Sequence, residues 1–299
     1  MADTTAHNPL DPAHLIGHVK DATYFELPRA LGGKVEVPQL VEPINPPRDG
    51  MIEAFDLQIT KFMVLEVVAA VIVLLIAIPL ANKMAGGRPV KGRLWNGLEA
   101  ILLFLRDEVA RPAIGKHDAD RFLPFLWTVF FFVLTCNLLG MVPWLGSPTG
   151  ALGVTGTLAL MTFACVVGAG SAKLGVIGFW KAQVPPMDLP TALAIPLKPM
   201  IFAIEILGLL IKHFVLAVRL LANMFAGHLV LGVLVAFVAA ITFHPAVTSF
   251  FHPLFMGVSV ASILGAVALS LLELFVAFLQ AYIFTFLSAL FIGMAVHPH

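Results

Sequence analysis

The chain has 299 residues, of which 59% are hydrophobic and only 12% are charged, and its formal net charge is zero. This charged fraction is about half that of a typical soluble domain, so more than half of the chain is too apolar to face water on any side. The balanced charge argues against a nucleic-acid partner, because no basic patch is available to neutralise phosphates.

The first part of the chain changes from polar to apolar near residue 56. Residues 1–55 are polar and rich in proline, and they predict a loosely structured extramembrane N-terminal arm. No basic stretch leads directly into a short apolar run, so a cleavable signal peptide is not expected. Residues 56–81 form an apolar run that is long enough to cross a membrane, and they predict the first transmembrane helix.

Residues 94–115 combine an apolar stripe with charged residues. The apolar residues recur at helical spacing: Leu98, Ile101, Leu102, Leu105 and Val109. Charged residues fall between them: Glu99, Arg106, Asp107 and Arg111. This pattern predicts an amphipathic helix that lies on the membrane surface.

The remaining apolar segments predict a hairpin and two long helices. Residues 121–180 contain two apolar runs joined by an uncharged turn, which predict a transmembrane hairpin. Residues 195–299 contain two runs of about 45 residues each. Each run would be roughly 68 Å long as a continuous helix, whereas the hydrocarbon core is only about 30 Å thick.

Each long run is therefore either two spans with a tight turn inside the bilayer or one helix lying far off the membrane normal. We favour the single helix, because no cluster of glycine, proline or charge divides either run. The predicted fold class is an all-α integral membrane protein. It has five membrane-embedded helices and one amphipathic surface helix, and the last two helices are long and strongly tilted.

The distribution of basic residues predicts the orientation of the chain. The loops at 82–93, 106–121 and 173–198 all carry Lys or Arg, whereas the turns near 143–153 and 244–253 carry none. Since basic loops stay in the cytoplasm, we expect five crossings. The N-terminus then lies outside the cytoplasm and the C-terminus lies inside it.

Arg219 lies deep inside the first long run. An arginine at mid-bilayer costs about 2.5–3.5 kcal/mol even on the lenient insertion scale, so a functional role is favoured over a purely structural pairing. Asn223 follows one helical turn later on the same face, and Glu205 precedes by about four turns, near that face. Small residues such as Gly208 and Ala222 accompany them, which indicates a face that a partner helix approaches closely.

The second long run carries a narrow polar stripe that includes Glu273 and Gln280 at helical spacing. His228 belongs to the first run and is one of few side chains there whose ordinary pKa is near neutral. If the two helices pack antiparallel, His228 and Glu273 fall at similar depth. We interpret them as a candidate proton relay, with a structurally satisfied histidine as the alternative.

These residues resemble subunit a of the F-type ATP synthase. The resemblance rests on EILGLLIKHFVLAVRLLANMFAGH, from Glu205 to His228, and on ELFVAFLQAYIF, from Glu273 to Phe284. NLLGMVP, from Asn137 to Pro143, is similar to the hairpin of the same family. The pattern extends from the first span to the C-terminus, and the first fifty residues match only loosely. His213 departs from many members, which have proline shortly before the arginine.

The resemblance implies a stator subunit that packs beside a rotating ring of c subunits and a peripheral stalk of b subunits in a bacterial inner membrane. Two offset half-channels would lead to a carboxylate on each c subunit. Arg219 would separate the half-channels, with Asn223 at the contact and Gln280 close to Arg219. His228 and Glu273 would relay protons from the outside, and Glu205 would lie towards the cytoplasmic exit.

Other classes of function were weighed against this one. An unrelated ion channel or secondary transporter predicts an internal repeat with broken helices, and no convincing repeat is found. A catalytic site of the chain's own is not expected, because the sequence lacks the phosphate-binding pattern G-x-x-x-x-G-K-[ST]. HExxH and CxxC patterns are also absent, so neither a metal nor a cofactor is expected.

Overall fold

A computed structural model of the chain describes residues 21–26, 34–39, 59–85, 92–142, 145–184, 191–242 and 252–297. Two short strands come first, β1 (Tyr24–Glu26) and β2 (Lys34–Glu36). The helices α1 (Lys61–Ala85), α2 (Arg93–Phe104), α3 (Arg111–Ile114) and α4 (Ala119–Gly140) follow. The described chain ends with α5 (Leu152–Leu174), α6 (Val176–Ala182), α7 (Thr191–Thr242) and α8 (Pro253–Val296).

Five of these helices are long and apolar enough to cross a membrane: α1, α4, α5, α7 and α8. Most of their surface residues are apolar, as in Leu75 of α1, which is 67% exposed. A helix that is apolar all round is stable only when lipid or other protein covers it. The predicted all-α membrane fold with five membrane-embedded helices is therefore confirmed.

The two long apolar runs are continuous helices, as we predicted. Helix α7 extends over 52 residues and α8 over 44 residues, and neither contains an internal turn. Helix α7 begins before Pro196 and passes through both Pro196 and Pro199. The uncharged turn predicted near 244–253 falls largely outside the described residues.

The region predicted as a surface helix is helical throughout but changes its winding. Helix α2 passes into a π-helical segment at Leu105–Ala110, and α3 follows directly. The π-helical segment contains charged residues that take part in ion pairs. Arg111 contacts Asp107 at 2.7 Å and Arg106 contacts Asp120 at 3.4 Å.

The chain divides into two compact units. The first comprises the described parts of residues 1–70, 136–151 and 222–277, and the second those of residues 71–135, 152–221 and 278–299. In the first unit β1 pairs with β2 in antiparallel register, and the hairpin was not predicted from the sequence. The carbonyl of Ala22 accepts the backbone N–H of Lys61 at 2.8 Å, which attaches the hairpin segment to the start of α1.

Candidate functional site

His228 and Glu273 meet inside the first unit. His228 lies on α7 and Glu273 on α8, and Nδ1 of the imidazole is 3.4 Å from Oε1 of the carboxyl group. The two side chains are only 15% and 7% exposed. A carboxyl group and an imidazole at this separation can exchange a proton after a small adjustment or through one water molecule. This contact is compatible with the similar depth that we predicted for the two residues, and their role as a proton relay stays a prediction.

Gly227 provides the space that this pair needs. A Cβ atom at residue 227 would lie 2.6 Å from Oε1 of Glu273, well inside van der Waals contact. The carboxyl group therefore packs directly against the α7 backbone, beside the histidine that follows the glycine. In the Ala-Gly-His sequence, the glycine lets the carboxyl group of Glu273 approach the backbone, and the histidine supplies a titratable side chain beside it.

A buried polar network lies in the same unit. The side-chain amide of Asn137 donates to the carbonyl of Ala277 at 3.2 Å, and its oxygen accepts the hydroxyl of Thr149 at 2.8 Å. The hydroxyls of Thr149 and Ser147 are 2.8 Å apart. Ala277 follows Glu273 by one turn of α8, so the network supports the helix that carries the acid.

This network was not predicted from the sequence. Asn137 was recognised only as part of a hairpin motif, and residues 147–149 only as part of an uncharged turn. The available signal was an asparagine inside an apolar run, because a buried amide requires hydrogen-bond partners. Asn137 and Thr149 are fully buried, and Ser147 is nearly so.

In the second unit, Arg219 lies at the boundary between two faces of α7. The neighbouring Leu216 and Leu220 are fully buried, whereas Phe214 and Val215 are 63% and 44% exposed. Arg219 itself is half-buried. Its guanidinium group therefore leaves the helix beside an apolar face that remains uncovered in the isolated chain.

Glu205 lines a cavity of about 190 Å³ in the second unit. The same cavity is lined by two basic or titratable side chains, Lys212 of α7 and His297 beyond the end of α8. Charged groups around a small cavity favour water over hydrocarbon as its content. Glu205 is half-buried there, and its place towards a cytoplasmic exit stays a prediction.

His213 packs between two phenylalanines of the second unit. Its ring centroid is 5.2 Å from that of Phe163 on α5 and 5.1 Å from that of Phe291 on α8. Nδ1 lies 2.9 Å from the carbonyl of Leu209, so Nδ1 carries the hydrogen and donates it. Helix α7 continues through His213 without a break.

The other two predicted site residues lie in different units. Gln280 belongs to the second unit, on α8, and is 1% exposed. Asn223 belongs to the first unit and is exposed on α7. Among the described residues, no group of three His, Cys, Asp or Glu side chains is arranged to hold a metal ion.

Comparison with known proteins assigns the family. The family model described as ATP synthase A chain matches residues 63–293. ATP synthase subunit a of Myxococcus xanthus is 42% identical over 247 residues, which cover 82% of this chain and 76% of the relative. The subunit a of Chloroherpeton thalassium is 40% identical over 248 residues, covering 82% and 68%. That of Chlorobium phaeobacteroides is 36% identical over 284 residues, covering 94% and 74%. The chain belongs to the ATP synthase subunit a family.

Proposed function

We propose that this chain is the proton-translocating stator subunit of an F-type ATP synthase and couples proton flow to rotation of a ring of c subunits. The pairing of His228 with Glu273 inside apolar helices carries the proposal. Ionisable groups at such positions are expensive in lipid and mark proton or ion pathways. Family membership supplies the second line of support, because the relatives are named ATP synthase subunit a.

The His228–Glu273 pair belongs to the half-channel that opens to the outside. Protons enter there, pass between the imidazole and the carboxyl group, and reach a carboxylate on the c subunit. Asn223 lines the contact with that subunit. The Asn137 network holds the α8 backbone one turn beyond Glu273 and so helps to fix the acid in position.

Arg219 separates the two half-channels, and Glu205 belongs to the one that opens to the cytoplasm. The fixed positive charge of Arg219 favours the ionised form of each passing carboxylate and opposes direct proton flow between the half-channels. Gln280 lies close to the arginine. Protons leave by way of the cavity that Glu205 lines with Lys212 and His297.

The lengths of α7 and α8 fit a static surface that follows a ring. At 1.5 Å per residue they would be roughly 78 Å and 66 Å long, more than twice the roughly 30 Å hydrocarbon core. Both helices therefore lie strongly tilted and offer the ring a long contact. The exposed apolar residues beside Arg219 face this contact.

The remaining parts of the proposal concern location and partners. The subunit spans a bacterial inner membrane with its N-terminus outside and its C-terminus in the cytoplasm, as the loop charges indicate. The b-subunit peripheral stalk holds it against rotation. The chain contributes no catalytic site of its own, so ATP chemistry belongs to partner subunits.

Replacement of Arg219 by alanine tests the proposal. In the assembled complex, Arg219→Ala is expected to abolish ATP synthesis driven by a proton gradient, while the amount of complex in the membrane stays normal. Replacement of the exposed Arg121 by alanine serves as the control, since it removes an arginine from the first turn of α4. Synthesis by Arg219→Ala at the level of Arg121→Ala would contradict the proposed function.

Glu273→Gln tests the outer half-channel separately. The substitution keeps the size of the side chain and removes its ability to carry a proton. Proton entry from the outside should slow at least tenfold, because the relay loses its acid. Unchanged proton conduction in vesicles of defined orientation would show that Glu273 is not part of the path.

A further inference from the structure

The second unit contains an apolar cavity of about 410 Å³ between α1 and α4. Its α1 wall extends from Val73 to Met84 and its α4 wall from Pro124 to Thr135, and Leu102 of α2 completes the lining. The volume lies within the range of about 300–1,000 Å³ that is usual for small-ligand sites. We call this cavity the α1–α4 pocket.

The α1–α4 pocket has the depth of one membrane leaflet. Eleven residues separate Val73 from Met84, and eleven separate Pro124 from Thr135. Each wall is therefore about 16 Å long at 1.5 Å per residue. Half of the roughly 30 Å hydrocarbon core is about 15 Å. A hydrocarbon chain that extends from the headgroup level to the bilayer midplane would fill the pocket along its length.

Helix α2 closes one end of the pocket, at Met84 of α1 and Pro124 of α4, which we call the shallow end. The indole of Trp127, on α4, donates to the carbonyl of Leu102 at 3.2 Å. At the end of α1, Nζ of Lys83 lies 3.8 Å above the ring of Trp95 on α2. The C-terminal end of α1 and the N-terminal part of α4 therefore lie at the same side, where lysine and tryptophan are typical of the interface between lipid and water.

The lining favours hydrocarbon over a polar ligand. The indole N–H of Trp127 already donates to the carbonyl of Leu102, and the hydroxyl of Thr128 donates to the carbonyl of Pro124 at 2.7 Å. The lining is otherwise mainly aliphatic and aromatic. A ligand with several polar groups would lose its hydrogen bonds to water without regaining them in the pocket.

We propose that the α1–α4 pocket binds one acyl chain of an anionic phospholipid, with the lipid phosphate beside Lys83. The exposed Lys83 and Arg93 bring positive charge to the shallow end, and basic residues at the membrane surface attract anionic headgroups. A partner helix is a poorer occupant, since its diameter of about 10 Å with side chains needs a wider space than a narrow cleft of this volume. The site does not depend on the proposed proton path.

Photo-crosslinking of the whole complex tests the site. The complex is placed in vesicles that contain phosphatidylglycerol or phosphatidylcholine with a diazirine near the middle of one acyl chain. Phosphatidylglycerol is expected to label peptides from 73–84 and 124–135, and Ala77→Trp, which fills the pocket, should reduce this labelling at least fivefold. The matched control is Leu75→Trp on the exposed face of α1, which should leave labelling unchanged.

A charge variant distinguishes the contribution of the lipid headgroup to binding from that of the acyl chain. Lys83→Glu should reduce labelling by phosphatidylglycerol several-fold and leave the weaker labelling by phosphatidylcholine unchanged. Equal labelling of Ala77→Trp and Leu75→Trp, or equal labelling by both lipids in the wild type, would overturn the proposal. So would disulfide crosslinks from cysteines introduced in the pocket to another subunit, since they would identify a partner helix as the occupant.

Discussion

Gly227→Ala is the substitution for which the structure predicts the sharpest effect. The added methyl group would lie 2.6 Å from Oε1 of Glu273, whereas ordinary van der Waals contact begins near 3.4 Å. One of the two groups must therefore move by about 0.8 Å. The carboxyl group moves, because it is the end of a flexible side chain, whereas the α7 backbone is fixed within a helix. Its distance from Nδ1 of His228 would grow from 3.4 Å to as much as about 4.2 Å.

The expected loss follows from this displacement. Once the carboxyl group has passed its proton to the imidazole, the two groups are oppositely charged, and at an effective dielectric constant of about 20 their attraction falls from about 4.9 to about 4.0 kcal/mol over that change in distance, which raises the free energy of this state. About 1 kcal/mol corresponds to a roughly fivefold change in rate. The helix itself should survive, because alanine favours α-helix over glycine by about 1 kcal/mol and so offsets much of the crowding.

The assay is passive proton conduction through the membrane sector of the assembled complex in vesicles. Gly227→Ala should conduct roughly five times more slowly than Gly257→Ala, in which the new Cβ has no neighbour within 4 Å among the described residues. Both variants gain the same helix propensity, so their difference reports the clash alone. Equal rates in the two variants would refute the idea that the position of the Glu273 carboxyl group controls proton entry.

Three further predictions concern stability. His213→Ala should lower the free energy of unfolding by about 3 kcal/mol through lost packing against two phenylalanines, whereas His213→Phe should be close to neutral; equal thermal midpoints would contradict this. Asn137→Leu should cost about 1–3 kcal/mol in the same assay, since it removes two buried hydrogen bonds, and a wild-type midpoint would refute that role. The hydrogen bond from Lys173, followed by the nearby positive charges of Lys173 and His297, lowers the pKa of Asp118, although partial desolvation raises it. The stabilisation that Asp118→Asn removes should therefore be present at pH 7 and vanish as the pH falls below about 4, and a difference that persisted in acid would exclude this linkage.

The membrane architecture could be predicted because lipid imposes simple rules on length and polarity. The two apolar runs that form α7 and α8 were predicted to be single helices, because no cluster of glycine, proline or charge interrupts them. Pro196 illustrates the limit of such a rule. The apolar pattern predicted that the long helix starts near this proline, whereas α7 includes it and begins at Thr191.

Contacts between distant segments were beyond prediction from pattern alone. The network from Ser147 to Asn137 and the carbonyl of Ala277 joins three parts of the chain, and no periodicity relates them. The short hairpin of β1 and β2 was missed because three residues per strand are too few to show an alternating pattern. For His228 and Glu273 the sequence predicted only a similar depth on antiparallel helices, whereas the contact of the two side chains at 3.4 Å depends on which faces the helices turn towards each other.

Buried polar side chains of the described residues differ in how their hydrogen bonds are satisfied. Thr162, Thr285 and Ser288 are buried, and each hydroxyl donates to the carbonyl four residues earlier in its own helix. By contrast, Nε2 of His228 and Oε1 of Glu273 are buried and take part in no hydrogen bond with the described residues, and the same is true of Nε2 of His213.

Leaving a buried polar atom unsatisfied costs about 1–3 kcal/mol, so a sequence under selection for stability alone would remove it. The His228–Glu273 pair is instead held together, with a glycine that makes room for the carboxyl group. An open lone pair beside an acid is what a transferring proton or a transient water molecule requires. His228 and Glu273 differ from His213 in that two titratable side chains with open hydrogen-bonding positions lie 3.4 Å from each other, and this juxtaposition supports the proposed proton transfer.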